Sequence, residues 1–548
     1  MKRTLLLIIV LGGTLARAQY TNTPFQHVIL LMQENRGVDN LFGSDAFNKP
    51  RRLPKAELAT QGLCHGQKIT LGNKGAIDAC FDPQHFHGAW LGGFNNGAMD
   101  GFCDNHLAEH CTPPPYPQYQ YVDNTPNKQT GHGIVDPYFS VAEQYGFANY
   151  MFQTNQGNSF VAHQFLFSGT SAPTAYPDQY YDWLAMENPI WPNKLPNAGC
   201  IAEPGNYVLE FDPTGKTSKG YNNGFPCYDH NTMADLLDNN MVNGQPQPVS
   251  WLHYGPGHTV GMWVAPNAIK HICVPSQPTA GECTGEIWKD HVVAGAETIL
   301  TDLGANPKQK QCNLPAVSWV VADGNWSDHP GTPGTDGGPS WIAAVVNAVG
   351  GYDNEGNKLP MQCNYWTNTV ILITWDDWGG WYDHVMPYTC SSSGKCGGYP
   401  NGTAGFFVYG FRVPMLVVSA YTPKGYVSGS KQQGGEVQPY IHDFGSILNF
   451  MEYVFGQNNQ SMGTIGDPNY PYADNFAPDS VGGGCPQTTC PYSLSDFFDF
   501  SKRHFFHQIT GAKYNDDYFL NAKYNFAHYP MDPDNDAIDG EGPDDDGD

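Results

Sequence analysis

His27-Val28-Ile29-Leu30-Leu31-Met32-Gln33 is a continuous apolar run that leads straight into Glu34-Asn35-Arg36, with Asp39 close behind. A second run, Thr369-Val370-Ile371-Leu372-Ile373-Thr374-Trp375, leads into Asp376-Asp377, then Gly379-Gly380 and Asp383-His384. Apolar runs of this length without alternation read as strands covered on both faces, as in a largely parallel α/β sheet. Such sheets build their sites at the carboxyl ends of their strands. Two strands that both end in oxygen donors therefore predict one shared metal site, assembled from distant parts of the chain. That pattern belongs to an enzyme.

Working outward, further strands are expected at Ala316–Val321 and Met415–Ser419, and helices at Trp341–Val349 and Ile441–Val454. No repeat, linker or change of composition divides the chain. The expectation is one large α/β domain over residues 19–530, with long Gly-, Pro- and aromatic-rich loops. Residues 1–18 carry the signature of a secretory signal peptide: Met1-Lys2-Arg3, an apolar Leu5–Leu11, then Ala16-Arg17-Ala18. That stretch is shorter than the roughly 20 apolar residues a membrane span needs, and no later segment qualifies. A secreted or periplasmic location is expected.

The chain has 14 cysteines. An even count in an exported chain favours disulfides over metal thiolates. Sequence proximity suggests Cys103–Cys111, Cys273–Cys283, Cys390–Cys396 and Cys485–Cys490, with Cys64–Cys80, Cys200–Cys227 and Cys312–Cys363 as the remaining pairs. The net charge of −26 argues against a nucleic-acid partner, which demands a basic surface. Part of that charge sits in residues 531–548, whose Asp-Gly-Pro composition lacks the offsets of an EF-hand loop and reads as a disordered acidic tail.

Glu34, Asn35, Asp376 and Asp377 are hard oxygen donors, suited to Ca²⁺, Mg²⁺ or Mn²⁺ and able to hold Zn²⁺. The competing reading makes Asp376 and Asp377 turn caps and pairs Glu34 with Arg36. Between the two clusters lies Gln156-Gly157-Asn158-Ser159-Phe160-Val161-Ala162-His163. Ser159 lies two residues after a glycine, but Val161 stands where the Gly-x-Ser-x-Gly elbow needs its second glycine. By spacing alone it is a turn serine.

These residues, taken together, resemble the bacterial phospholipase C and acid phosphatase family of phosphoesterases. Glu34-Asn35-Arg36-Gly37-Val38-Asp39-Asn40-Leu41-Phe42-Gly43 is similar to that family's ENRSFDHYFG opening. Asp82-Pro83-Gln84-His85, Gly97-Ala98-Met99-Asp100-Gly101-Phe102, Gly157-Asn158-Ser159, Ser168-Gly169-Thr170, Asp328-His329-Pro330 and Trp375-Asp376-Asp377 follow in the family's order. So do Asp383-His384, Arg412-Val413-Pro414 and His442-Asp443.

The resemblance implies an alkaline-phosphatase-like α/β/α sandwich. It implies a divalent metal on Glu34, Asn35, Asp376 and Asp377, with Ser159 as nucleophile. His85 and His329 become phosphoryl-oxygen donors or acids for the leaving group, and His384 and His442 supporting residues. Asn158 replaces the family's proline, and His163 stands near its asparagine, which puts the pocket around Ser159 in question. The implied function is an exported metal-dependent phosphoesterase acting on phosphate esters, phospholipid headgroups included, through a phosphoserine. A sulfatase is disfavoured because 157–164 lacks the Pro and Arg of the sulfatase motif. The alternative is a non-catalytic secreted protein that binds a metal or a glycan.

Overall fold

In the computed structural model the described residues are 22–522, except for 73, 110, 174–182, 191–198, 212–216, 219–223, 257–261, 277–281, 332–335, 388–408, 431–439, 467–471 and 480–490. The expected signal peptide and acidic tail, and the Cys390–Cys396 and Cys485–Cys490 pairs, lie outside them.

Eight strands form the central sheet: β1 His27–Gln33, β2 Gly146–Ala148, β3 Trp251–Gly255, β4 Val292–Ala294, β5 Val317–Val321, β6 Thr369–Trp375, β7 Met415–Ser419 and β8 Tyr426–Ser428. Their order is β4-β3-β5-β1-β6-β7-β2-β8. Only β7 runs against the other seven, pairing antiparallel with both β6 and β2. β1 sits at the centre, parallel to β5 on one side and β6 on the other. Its apolar run is explained by that position: from Val28 onward every residue of β1 is buried, as is every residue of β6. The four strands expected from sequence are all present.

Helices cover both faces. Leu30 of β1 is paired with Trp319 and Gln33 with Trp375. Leu30 and Gln33 are an odd number of residues apart, so the two tryptophans point to opposite faces. Trp375 meets Tyr138 of helix α1 (Asp136–Gln144), ring centroids 5.1 Å apart, and α1 packs on α3 (Gly338–Val349). Trp319 meets Phe167 of helix α2 (Ser159–Ser168), and α2 packs on α4 (Phe444–Val454). These three layers are the expected sandwich. Helix α4 begins at Phe444 rather than Ile441. Asp443 caps it, taking the Ser446 N–H at 2.8 Å, and His442 is drawn into a bridge with Met151.

Five disulfides join described cysteines, and none of the described cysteines is free. Cys200–Cys227, Cys273–Cys283 and Cys312–Cys363 are as expected. The pairs Cys64–Cys80 and Cys103–Cys111 are corrected to Cys64–Cys103 and Cys80–Cys111. Backbone contact decides the exchange. The Phe81–Pro83 strand pairs antiparallel with Leu107–Glu109, Phe81 opposite Glu109, which carries Cys80 to Cys111. The His65 N–H reaches the Asp100 carbonyl at 2.9 Å, which brings Cys64 beside the turn holding Cys103.

Candidate active site

The in-phase pairing of β1 with β6, Gln33 opposite Trp375, sets Glu34-Asn35 beside Asp376-Asp377 at the carboxyl edge of the sheet. The Asn35 N–H donates to Asp376 Oδ1 at 3.0 Å, and the Asp377 N–H donates to the same oxygen at 2.7 Å. Asn35 has φ +56°, a left-handed backbone that asparagine tolerates better than most residues. Gly379 also has a left-handed φ, and a Cβ there would fall 2.0 Å from the Asn35 carbonyl oxygen. The two turns therefore fit only with glycine at 379.

Helix α2 delivers Ser159 to this corner. All ten of its residues are buried, and Ser159 is its first. Ser159 Oγ donates to Asp377 Oδ2 at 3.2 Å, while Asp377 Oδ1 takes the Gly379 N–H at 2.8 Å. The dipole of a helix start favours an anion beside it. One turn on, His163 points the same way, its Nε2 3.2 Å from Glu34 Oε1 and 3.7 Å from Asp376 Oδ2. His163 is the residue that reading the sequence missed. The available signal was its i,i+4 spacing from Ser159, which puts both on one helix face. Glu34, His163 and Asp376 each bring a ligand atom within 4.8 Å of the others.

His85 follows the Phe81–Pro83 strand. Its Nδ1 donates to the Pro83 carbonyl at 2.9 Å, so in the neutral ring Nε2 is an acceptor. The Asn35 amide donates to that Nε2 at 3.0 Å, which turns Asn35 Oδ1 away with no hydrogen-bond partner in a buried setting. Asp377 Oδ2 lies 3.6 Å from the same Nε2. His329 arrives on the loop after β5. Its Nδ1 donates to the Pro330 carbonyl at 2.7 Å and its Nε2 stands 3.8 Å from Asp82 Oδ2, on the strand that leads to His85. Glu34, Asn35, Asp376, Asp377, Ser159 and His85 thus meet in direct contacts, Glu34 bonding to Asp376 side chain to side chain, while His329 stands beside Asp82, three residues before His85 in the chain.

Of the two further candidates, His384 Nδ1 contacts Asp39 at 2.5 Å, beside the Asp383–Arg412 ion pair. His442 faces Asp479 and Ser428.

The electrostatics of this corner are unfavourable without a counter-charge. Burial, and next the Glu34 charge, push the Asp376 carboxyl up to about 7. Burial pushes His163 down to about 4, so its ring is neutral at physiological pH and of the type that ligates metals. An orphaned amide oxygen, two carboxylates and a neutral imidazole form a donor set that fits a divalent cation. In the metal-free chain, the folded state holds a proton on Asp376 between about pH 4 and 7 that the unfolded chain has released. Stability from this group therefore falls as pH rises through that window. Thermal unfolding of chelated protein should give a lower Tm at about pH 7.5 than at about pH 5, with a smaller fall in Asp376→Asn. An equal fall in that variant contradicts the assignment.

The model of the Phosphoesterase family matches residues 25–457, and the chain belongs to that family. The chain is 32% identical over 475 residues to the non-hemolytic phospholipase C of Burkholderia pseudomallei, covering 78% of this chain and 55% of that protein. It is 23% identical over 472 residues to the non-hemolytic phospholipase C of Pseudomonas aeruginosa, covering 79% and 54%. It is 25% identical over 436 residues to phospholipase C A of Mycobacterium tuberculosis, covering 73% and 69%. The chain thus spans about half the length of two of these relatives and about two thirds of the third. A solved alkaline phosphatase superfamily protein from Vibrio parahaemolyticus aligns over 80% of this chain and 71% of its own, at 9% identity and a TM-score of 0.29. So slight a likeness adds nothing to the fold or the site.

Proposed function

We propose that this protein is an exported, metal-dependent phosphoesterase of the phospholipase C or acid phosphatase type, with Ser159 as nucleophile. The observation that carries this reading is the meeting of Glu34, Asn35, His163 and Asp376 with Ser159 and His85 at one buried corner. Glu34, Asn35 Oδ1, His163 and Asp376 would hold the cation. When bound, a divalent cation neutralises the carboxylates, favours the ionised form of a neighbouring hydroxyl and offsets charge on a phosphoryl oxygen.

The protein's own groups supply the rest. Asp377 Oδ2 orients the Ser159 hydroxyl and accepts its proton. Ser159 Oγ then forms a bond to phosphorus in line with the departing alcohol, and the helix start steadies the oxygens. His329, between the Pro330 carbonyl and Asp82, is disposed to carry a proton on Nε2 and pass it to the leaving oxygen. His85, whose Nε2 accepts the Asn35 amide proton, is disposed to take a proton at that nitrogen from the water that hydrolyses the phosphoserine. Export is supported by the five disulfides, which fit an oxidising compartment. Among the described residues no helix is long and apolar enough to cross a membrane.

The test is hydrolysis of p-nitrophenyl phosphate and p-nitrophenyl phosphorylcholine, before and after chelation and with metal restored. Chelator-sensitive cleavage of the choline ester alone assigns a phospholipase C, and of the monoester alone a phosphatase. Metal binding without cleavage of either ester sinks the enzymatic reading in favour of a binding protein.

A further inference from the structure

A second buried polar cluster lies against the loop that presents Ser159, and the chemistry above does not use it. His442, Ser428 and Asp479 are buried, and the Asp496 side chain is 4% exposed. A serine, a histidine and an aspartate in contact have the composition of a hydrolytic triad, but the hydrogen bonds run the other way. Ser428 Oγ gives its only proton to Asp496 Oδ2 at 2.6 Å, so it receives a proton from His442 Nε2 at 2.9 Å. Nδ1 of the same ring donates to Asp479 Oδ2 at 2.8 Å. Both ring nitrogens therefore carry protons, and His442 is an imidazolium between two carboxylates.

Asp479 is saturated by donors. Besides His442 it takes the Leu494 N–H at 2.9 Å and the Ser446 and Ser493 hydroxyls at 2.8 Å each. Asp496 also takes the Tyr426 hydroxyl at 2.9 Å, and Tyr440 interacts with it. The remaining acid is Asp443, next in the chain, which burial pushes up to about 7. Burial opposes a charge on His442, yet Asp496 and Asp479 outweigh it and push the ring up to about 10.

The backbone beside His442 holds the serine loop. The His442 N–H reaches the Tyr150 carbonyl at 2.8 Å, and the Phe152 N–H returns to the His442 carbonyl at 2.9 Å. Phe444 N–H donates to Thr154 Oγ1 at 2.8 Å. The Asn155 amide then donates to the Gly157 carbonyl at 3.1 Å, two residues before Ser159. Asp479 and Asp496 both lie beyond residue 457, where the family match ends.

We propose that Asp479 and Asp496 are positioning residues of the Ser159 site: they hold His442 as a cation, and His442 fixes the loop 150–158 that presents the serine. The proposal rests on the reading of Ser159 as nucleophile. The C-terminal segment thereby becomes part of the active site without touching substrate.

Asp479→Asn keeps the shape and removes one charge. It should lower kcat about tenfold to a hundredfold with KM within about twofold, because small misplacements of a reacting group carry costs of that order. His442 should also lose its proton more readily in this variant. The alkaline limb of its pH–rate profile should therefore move down by at least about one pH unit. An unchanged kcat, or an equal loss at every pH, overturns the proposal, since a merely structural defect leaves the profile in place.

Selective ¹⁵N-histidine NMR of the unmodified protein at about pH 8 checks the charge independently of folding in any variant. Two protonated ring nitrogens, assigned by their loss in His442→Gln, support the clamp, and a neutral ring overturns it. Should Ser159→Ala stay active, the nucleophile reading fails, and the NMR result still reports the clamp by itself.

Discussion

Ser159→Ala is expected to lower kcat by about 10³-fold or more while leaving metal content and fold in place. The size of the effect follows from the role: without Oγ no bond to phosphorus forms, and the remaining groups only bind and polarise. The innocence of the change follows from the setting. Ser159 is the first residue of α2, its side chain makes one hydrogen bond to Asp377, and the Phe160 N–H is held separately by Asn188 Oδ1 at 2.8 Å. Losing one buried hydrogen bond costs about 1 kcal/mol, too little to unfold a domain of this size. Rates on the better chromogenic ester, metal content by mass spectrometry and a melting curve check it together. Full activity in a metal-loaded Ser159→Ala protein removes the serine from the mechanism.

Asp376→Asn should have effects of opposite sign on function and on metal-free stability. Its carboxylate is buried against Glu34, and burial with that like charge raises its proton affinity. Removing one of the two acids relieves the repulsion, so the chelated variant should melt above the chelated parent at about pH 7.5. The same change deletes a charged ligand. Metal affinity should fall by about tenfold or more, and kcat/KM with it by about 10²-fold or more. The gain in Tm that metal gives the parent should shrink accordingly. A variant that binds metal as tightly as the parent would exclude Asp376 as a ligand, and a lower metal-free Tm would refute the electrostatic account.

How much of this was legible in the sequence depended on what made each feature local. The runs at 27–33 and 369–375 announced buried strands because central strands of a parallel sheet are covered on both faces. The acids that follow them announced a site because strands of such a sheet end there. Asp443 is a different case. Its capping geometry, with Ser446 reaching back to its N–H at 3.0 Å, begins α4 after the apolar periodicity has started, so periodicity alone set the boundary too early. Proximity in sequence pairs Cys103 with Cys111 and leaves Cys64 for Cys80, whereas an antiparallel ladder and a backbone hydrogen bond send each to a different partner.

By itself the sequence determined the α/β class, the central strands, the carboxylates at their ends and the family to which the chain belongs, since each is written in contiguous residues. Tertiary structure alone decided that β1 lies beside β6 in phase, which closes a gap of 341 residues between Asn35 and Asp376. It also decided that His163 faces Glu34, that His329 meets Asp82, and that His442 is clasped by Asp479 and Asp496. The physical reason is one of range. Burial and strand propensity act on a residue through its own neighbours along the chain. Register, ion pairing and ligand geometry are relations between segments, and they exist only once the sheet has placed those segments side by side.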